Sequence, residues 1–203
     1  MPGYFEAVPG GGAAVALDEV ETSILRSLAV QLLELVGPGD EPVEGEDPLA
    51  ALFAEGPSEA PTDPALARLF PEAYADPRSE PDKEQQAASA EFRRFTENDL
   101  RTRKREDALS VVRNLDALAS AADEGDQGGE SRLVLKLTPE ESRRWLGTLN
   151  DLRLTIASRL EITDEDEGEM LLHLPDEDPR KPMVMAYLWL GGLQETLVET
   201  LMP

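Results

Sequence analysis

Six basic residues fall within thirteen positions, Arg93, Arg94, Arg101, Arg103, Lys104 and Arg105, out of 19 in the whole chain. Guanidinium and ammonium groups at this density suit the oxygens of a phosphate or of an acidic partner. On a helix Arg94, Arg101 and Arg105 share a face at steps of seven and four, while Arg103 and Lys104 point elsewhere. The same cations have internal candidates in Glu97, Asp99, Glu106, Asp107 and an acidic linker further up the chain. In a protein of net charge −23 a positive island attracts the protein's own carboxylates as well as those of a partner. Both fates stay open, and the six residues are the candidate contacts for a partner or a phosphate.

Other constellations carry less. The run Asp164-Glu165-Asp166-Glu167-Gly168-Glu169 has the oxygen ligands a divalent cation prefers. An EF-hand loop, however, needs a bidentate acid at its twelfth position, and counting from Asp164 that position is Pro175. These acids read as a solvated helix start. Gly10-Gly11-Gly12 lacks the Lys-Ser/Thr of a phosphate loop and joins two strands, so it is a hairpin turn. Gly191-Gly192 inside an apolar helical stretch costs about 1 kcal/mol per glycine relative to alanine, which implies close approach of another backbone, with Trp189 packing beside it, or a docking groove. His173 sits in an apolar surrounding without a nucleophile motif and reads as a half-buried structural histidine. No catalytic, metal or cofactor site is assigned.

The elements that would position these groups can be read from pattern. Tyr4–Val8 and Ala13–Leu17 flank Pro9-Gly10-Gly11-Gly12 as a hairpin. Asp18, with Glu21 three positions on, opens a helix in which Val20, Ile24, Leu28, Leu32 and Leu35 recur until Gly37-Pro38-Gly39 stops it. From 37 to about 63 the chain holds eight acids, no base and many Pro and Gly, which predicts a mobile acidic linker interrupted by the amphipathic turn Leu49–Phe53. Pro64–Phe70 is a short helix with proline at its first position. The longest helix runs from about Lys83 to Ala122, with Phe92 and Phe95 anchoring its first half and Ala108, Val111, Leu115, Leu118 and Ala122 its second. The charged stretch Arg101–Asp107 between them marks a kink or a solvent crossing. An acidic loop follows at about 123–131. Arg132–Leu137 alternates as a strand and should pair with the hairpin, because a lone strand leaves its backbone unsatisfied. Thr138-Pro139-Glu140-Glu141 opens a helix whose buried face is Trp145, Leu149, Leu152, Ile156 and Leu160. A further short helix can begin after Thr163. The last helix carries Ala186, Leu190, Leu193, Leu197 and Leu201. The reading is a single, mainly α, α+β domain: a small antiparallel sheet packed with three long helices.

Composition narrows the function. With 203 residues of which 40 % are hydrophobic, the chain can build a core, though part of it stays unpacked. Forty-two acids against 19 bases disfavour direct binding to DNA or to anionic membranes. The absence of cysteine removes disulfides, thiolate metal sites and cysteine nucleophiles, and a single histidine makes a His-based triad improbable. No apolar run reaches about 18 residues and no signal peptide is visible, so the expectation is a soluble cytoplasmic protein.

The hairpin leading into an amphipathic helix, then Leu137-Thr138-Pro139-Glu140-Glu141, Trp145-Leu146-Gly147-Thr148-Leu149-Asn150-Asp151-Leu152-Arg153-Leu154 and Arg159-Leu160, resembles the actinobacterial AosR family of oxidative-stress transcriptional regulators, long catalogued as a domain of unknown function. The resemblance spans about Tyr4 to Leu201. It implies a cytoplasmic, non-enzymatic regulator of the redox response that associates with an alternative sigma factor and promotes transcription of cysteine-biosynthesis genes. DNA would be reached at most through that partner. In the family a cysteine pair forms a disulfide under oxidants; this sequence has none, so that switch does not carry over, and five methionines are a less selective substitute. The competing expectation is an acidic adaptor for a protease or a sulfur-metabolism enzyme, using the linker as its contact.

Overall fold

A computed structural model describes residues 3–37, 56–74, 82–124, 132–163, 171 and 173–202. The acidic run at 164–169, the helix start after Thr163, the Leu49–Phe53 turn, most of the linker (38–55) and most of the loop near 123–131 lie outside the described residues. Of the linker, residues 56–63 are described. There the Gly56 N–H donates to the Arg94 carbonyl at 2.8 Å, and a β-carbon on Gly56 would sit 3.0 Å from Asn98 Oδ1.

The protein is mainly helical with a three-stranded antiparallel sheet, as the pattern predicts. Strands β1 (Glu6–Ala7), β2 (Ala13–Leu17) and β3 (Leu133–Leu137) lie in the order β1-β2-β3. Ala13 stands opposite Leu137 and Leu17 opposite Leu133, so the strand formed by residues 133–137 completes the N-terminal hairpin. The hairpin turn needs Gly12, whose φ is +97° and whose missing β-carbon would lie 2.2 Å from the Leu137 carbonyl oxygen.

Helix α1 (Glu19–Val36) opens on a reciprocal Asp18/Glu21 capping box and ends at Gly37, with φ +83°. Its buried stripe is Thr22, Leu25, Ala29, Leu32 and Val36; of the expected face Leu32 is buried and Leu28 and Leu35 pack against the core, whereas Val20 and Ile24 are exposed. Helix α2 (Pro64–Leu69) is capped by the Asp63 carboxylate, which the Arg159 guanidinium and the Leu66 and Ala65 N–H groups hold below the usual range. Helix α3 (Lys83–Glu124) spans 42 residues, and Asp82 and Gln85 exchange backbone-to-side-chain hydrogen bonds at its start. Helix α4 (Pro139–Arg159) opens on the Thr138/Glu141 box, and α5 (Lys181–Leu201) closes the fold.

One buried cluster joins these elements. Helix α4 lies at its centre, touching α1, α2, α3, α5 and β3. Trp145 on α4 is 1 % exposed and meets the Phe5 ring edge-to-face at 5.9 Å. Its indole N–H donates to Asn114 Oδ1 at 2.9 Å, and Asn114 Nδ2 donates to Glu141 Oε1 at 2.9 Å. A single asparagine on α3 thus satisfies a buried tryptophan and ties down the cap of α4. The Thr138 backbone N–H and Asn114 together hold the Glu141 carboxyl below its ordinary value.

Candidate functional site

The six basic residues of the sequence reading all lie on α3, and the structure separates them. Arg93 is 6 % exposed and pairs with Glu97, itself 3 % exposed. Its second amino group donates to the Phe70 carbonyl at 3.0 Å, at the C-terminus of α2. Arg101 reaches the same Glu97 through Nε (2.9 Å) and Nη2 (2.7 Å), and its Nη1 donates to the Val36 carbonyl at 2.6 Å. The Arg101 guanidinium also lies over the Phe70 ring, 4.4 Å from its centroid. Arg105 donates to the Gly37 carbonyl. Helix α1 has no basic residue in its own last turn, so α3 supplies from outside the cations that complement the negative end of the α1 dipole.

Lys104 points to a different neighbour from Arg101 and Arg105, as the helical wheel suggests, and its Nζ donates to Asp151 Oδ1 on α4 at 2.6 Å. Burial pushes the Asp151 carboxyl up, while Lys104 and Asn150 pull it partly back. Burial also raises Asp107, against the opposing pull of Arg144 and Arg103. Arg94 lies 4.9 Å from the Phe95 ring, and Arg103 is exposed. The charged centre of α3 is therefore a paired network at a half-buried position: Arg93 and Glu97 are buried, Arg101, Lys104 and Arg105 half-buried, while Thr102, Arg103 and Glu106 face solvent. Phe92 and Phe95, expected to anchor this half, are 46 % and 60 % exposed. Ser89, Arg93 and Glu97 occupy the inward positions instead.

A second polar site, which the sequence reading did not single out, lies between α4 and α5. Arg153 Nη1 donates to Gln194 Oε1 at 2.7 Å, Nη2 stands 3.5 Å from the Tyr187 hydroxyl, and the guanidinium lies 5.1 Å from the Tyr187 ring centroid. Gly191 faces that guanidinium, 3.6 Å from Nε where a β-carbon would be, and Gly192 faces the Tyr4 ring at 3.6 Å. The glycine pair thus accommodates side chains, not a neighbouring backbone. Cavities open on both sides of Arg153: one of about 210 Å³ toward Arg68, Asn150 and Tyr187, and one of about 550 Å³ toward Leu188, Glu195 and Glu199. Asn150 and Arg153 belong to the stretch Trp145–Leu154, but nothing in their local spacing marks a pocket.

His173 is exposed rather than half-buried. Among the described residues no group of three or more His, Cys, Asp or Glu side chains is placed to hold a metal ion, and no helix is long and apolar enough to cross a membrane.

Comparison with known proteins places the chain. Over residues 3–201 it matches the family described as "Domain of unknown function (DUF2017)". It is 28 % identical over 191 residues to the "Oxidative stress regulator AosR" of Mycobacterium tuberculosis (strain ATCC 25618 / H37Rv) and to that of Mycobacterium bovis, covering 90 % of this chain and 78 % of each relative. It is 31 % identical over 185 residues to the "Putative oxidative stress regulator AosR" of Mycobacterium leprae, covering 90 % and 79 %. No solved structure matches. The buried Trp145, the Thr138/Glu141 cap and the hairpin-first topology are thus features of a chain that belongs, along nearly its whole length, to the DUF2017 family.

Proposed function

We propose that this protein is a non-enzymatic regulator in the oxidative-stress response that works by holding another protein, an alternative sigma factor, and reaches DNA only through it. The observation that carries this reading is the similarity across 90 % of the chain to relatives named as oxidative stress regulators. Charge supports it: at −23 the protein is a poor ligand for bare duplex and a good one for a basic protein surface. The cation-rich stretch of α3 offers a partner little, because Arg93, Glu97, Arg101 and Lys104 are committed to each other and to carbonyls of the fold. Arg103 is the exposed member through which a phosphate or acidic contact can run. With no cysteine in the chain, the oxidant signal enters through the partner or another protein.

Affinity capture with the tagged full chain, with and without oxidant, followed by mass spectrometry, tests the reading. The expected result is a sigma factor or polymerase subunit, retained equally under both conditions and reproduced with purified components. Recovery of a protease or a sulfur-metabolism enzyme in its place would support the adaptor reading instead.

A further inference from the structure

Arg153 is unusual in a chain with more than twice as many acids as bases. Its partners are an amide and a phenol, and it forms no ion pair among the described residues. Its Nε is buried with no hydrogen-bond partner. Glu195 and Glu199 border the cavity on its other side without pairing to it. A guanidinium carries five N–H donors, of which Gln194 takes one and Tyr187 at most one more. The remaining donors of this half-buried cation are left for water or for an anion to complete.

The cavity on the α2 side gathers groups that suit an anion. Arg68 and Arg153 bring two guanidinium groups to it, Asn150 an amide, Thr163 a hydroxyl and Tyr187 a phenol, while Leu154 and Ile162 form apolar wall; among the described residues no carboxylate lines it. Its volume of about 210 Å³ exceeds the roughly 150 Å³ that holds a benzene ring and falls below the usual drug-sized pocket. From this pairing of two cations with an apolar wall at that size, we infer that the pocket between α2, α4 and α5 binds a small organic carboxylate with a compact apolar body. Arg153 engages the carboxylate and Arg68 adds a second positive charge at the mouth. This site is independent of the sigma-factor reading, and either can fail without the other.

The test uses benzoate as probe, benzamide as its neutral isostere and inorganic phosphate as the anion without an apolar body. Binding to the full chain is followed by calorimetry and by the shifts of the Tyr187 ring and arginine Nε–H signals. Benzoate is expected to bind and to shift those signals, with benzamide and phosphate at least about tenfold weaker. Arg153→Gln should weaken benzoate about ten- to a hundredfold, and the exposed Arg68→Gln about tenfold. Because Arg68 lies on the surface, its variant keeps the test decisive even if Arg153→Gln fails to fold. Equal binding of benzoate and benzamide, phosphate binding as tight as benzoate's, indifference to Arg68→Gln, or no shift at about 10 mM benzoate would each overturn the inference.

Discussion

The two halves of α3 share one inward stripe, Ser89, Arg93, Glu97, Arg101, Lys104, Ala108, Val111, Leu115 and Leu118, spaced by threes and fours throughout. From Ala108 onward the stripe is apolar, and each fully buried leucine contributes about 1.5–3 kcal/mol by leaving water. From Ser89 to Lys104 the same stripe is polar and charged, and its groups are satisfied by Glu97, by Asp151 and by the terminal carbonyls of α1 and α2. There the cost of desolvation and the gain of pairing nearly cancel. The lesson is that burial on a helix is set by position, while stability depends on what is placed there. The apolar half supplies free energy. The charged half supplies alignment, because a guanidinium must meet particular carbonyls whereas a leucine accepts any apolar neighbour.

The contrast can be broken most sharply at Glu97. Glu97→Gln leaves Arg93 and Arg101 without their shared counter-charge and should cost about 3–5 kcal/mol in urea unfolding followed by tryptophan fluorescence; a loss under about 1 kcal/mol would mean that water reaches the pair. Replacing the whole cluster, Arg93→Met with Glu97→Leu and Arg101→Met, should recover most of that loss, since a packed apolar substitute removes the desolvation cost along with the pairing. In the apolar half Leu115→Ala should cost about 2–5 kcal/mol through lost transfer energy and a cavity, with no comparable rescue by a neighbouring change. Asn114→Ala, at the junction with α4, should cost about 1–3 kcal/mol by orphaning the Trp145 indole N–H.

The smallest expected effect is one of pH. Burial holds Asp151 above its ordinary value of 3.8, so just above that value the folded state binds more protons than the unfolded one. This group's contribution to stability therefore falls as pH rises through its folded value. Asp151→Asn removes that titration, and the variant's stability relative to wild type should improve between pH 3.8 and the upper end of that window. Glu141 acts in the opposite sense. Its lowered carboxyl contributes stability above its ordinary 4.5 that is lost as pH falls, and Asp151→Asn leaves that part of the curve in place. A stability difference that does not vary with pH would show that Asp151 titrates alike in both states.

Much of the fold was legible because its signals are local. The Asp18/Glu21 and Thr138/Glu141 boxes, the glycine turn and the alternation of Leu133, Leu135 and Leu137 each act within a few residues. The α1 stripe was read correctly at Leu28, Leu32 and Leu35 but not in its first turns, since Val20 and Ile24 match the helical period as well as Leu25 and Ala29 do. The first half of α3 was misread for a related reason: hydropathy points to Phe92 and Phe95, and only the spacing of Ser89, Arg93, Glu97 and Lys104, continued into the apolar stripe, gives the true inward face. The pocket at Arg153 left no comparable trace, because Arg68, Asn150, Arg153 and Tyr187 come from three helices.

Composition and short-range pattern alone determined that this chain has no thiol chemistry, carries an excess of carboxylate and builds a small sheet among long amphipathic helices. Tertiary structure decided which charges are spent inside the fold and which face outward. A hydrogen bond from Arg101 to a carbonyl 65 residues earlier, or from Lys104 to a carboxylate 47 residues later, is set by how helices pack and not by the neighbours of either residue.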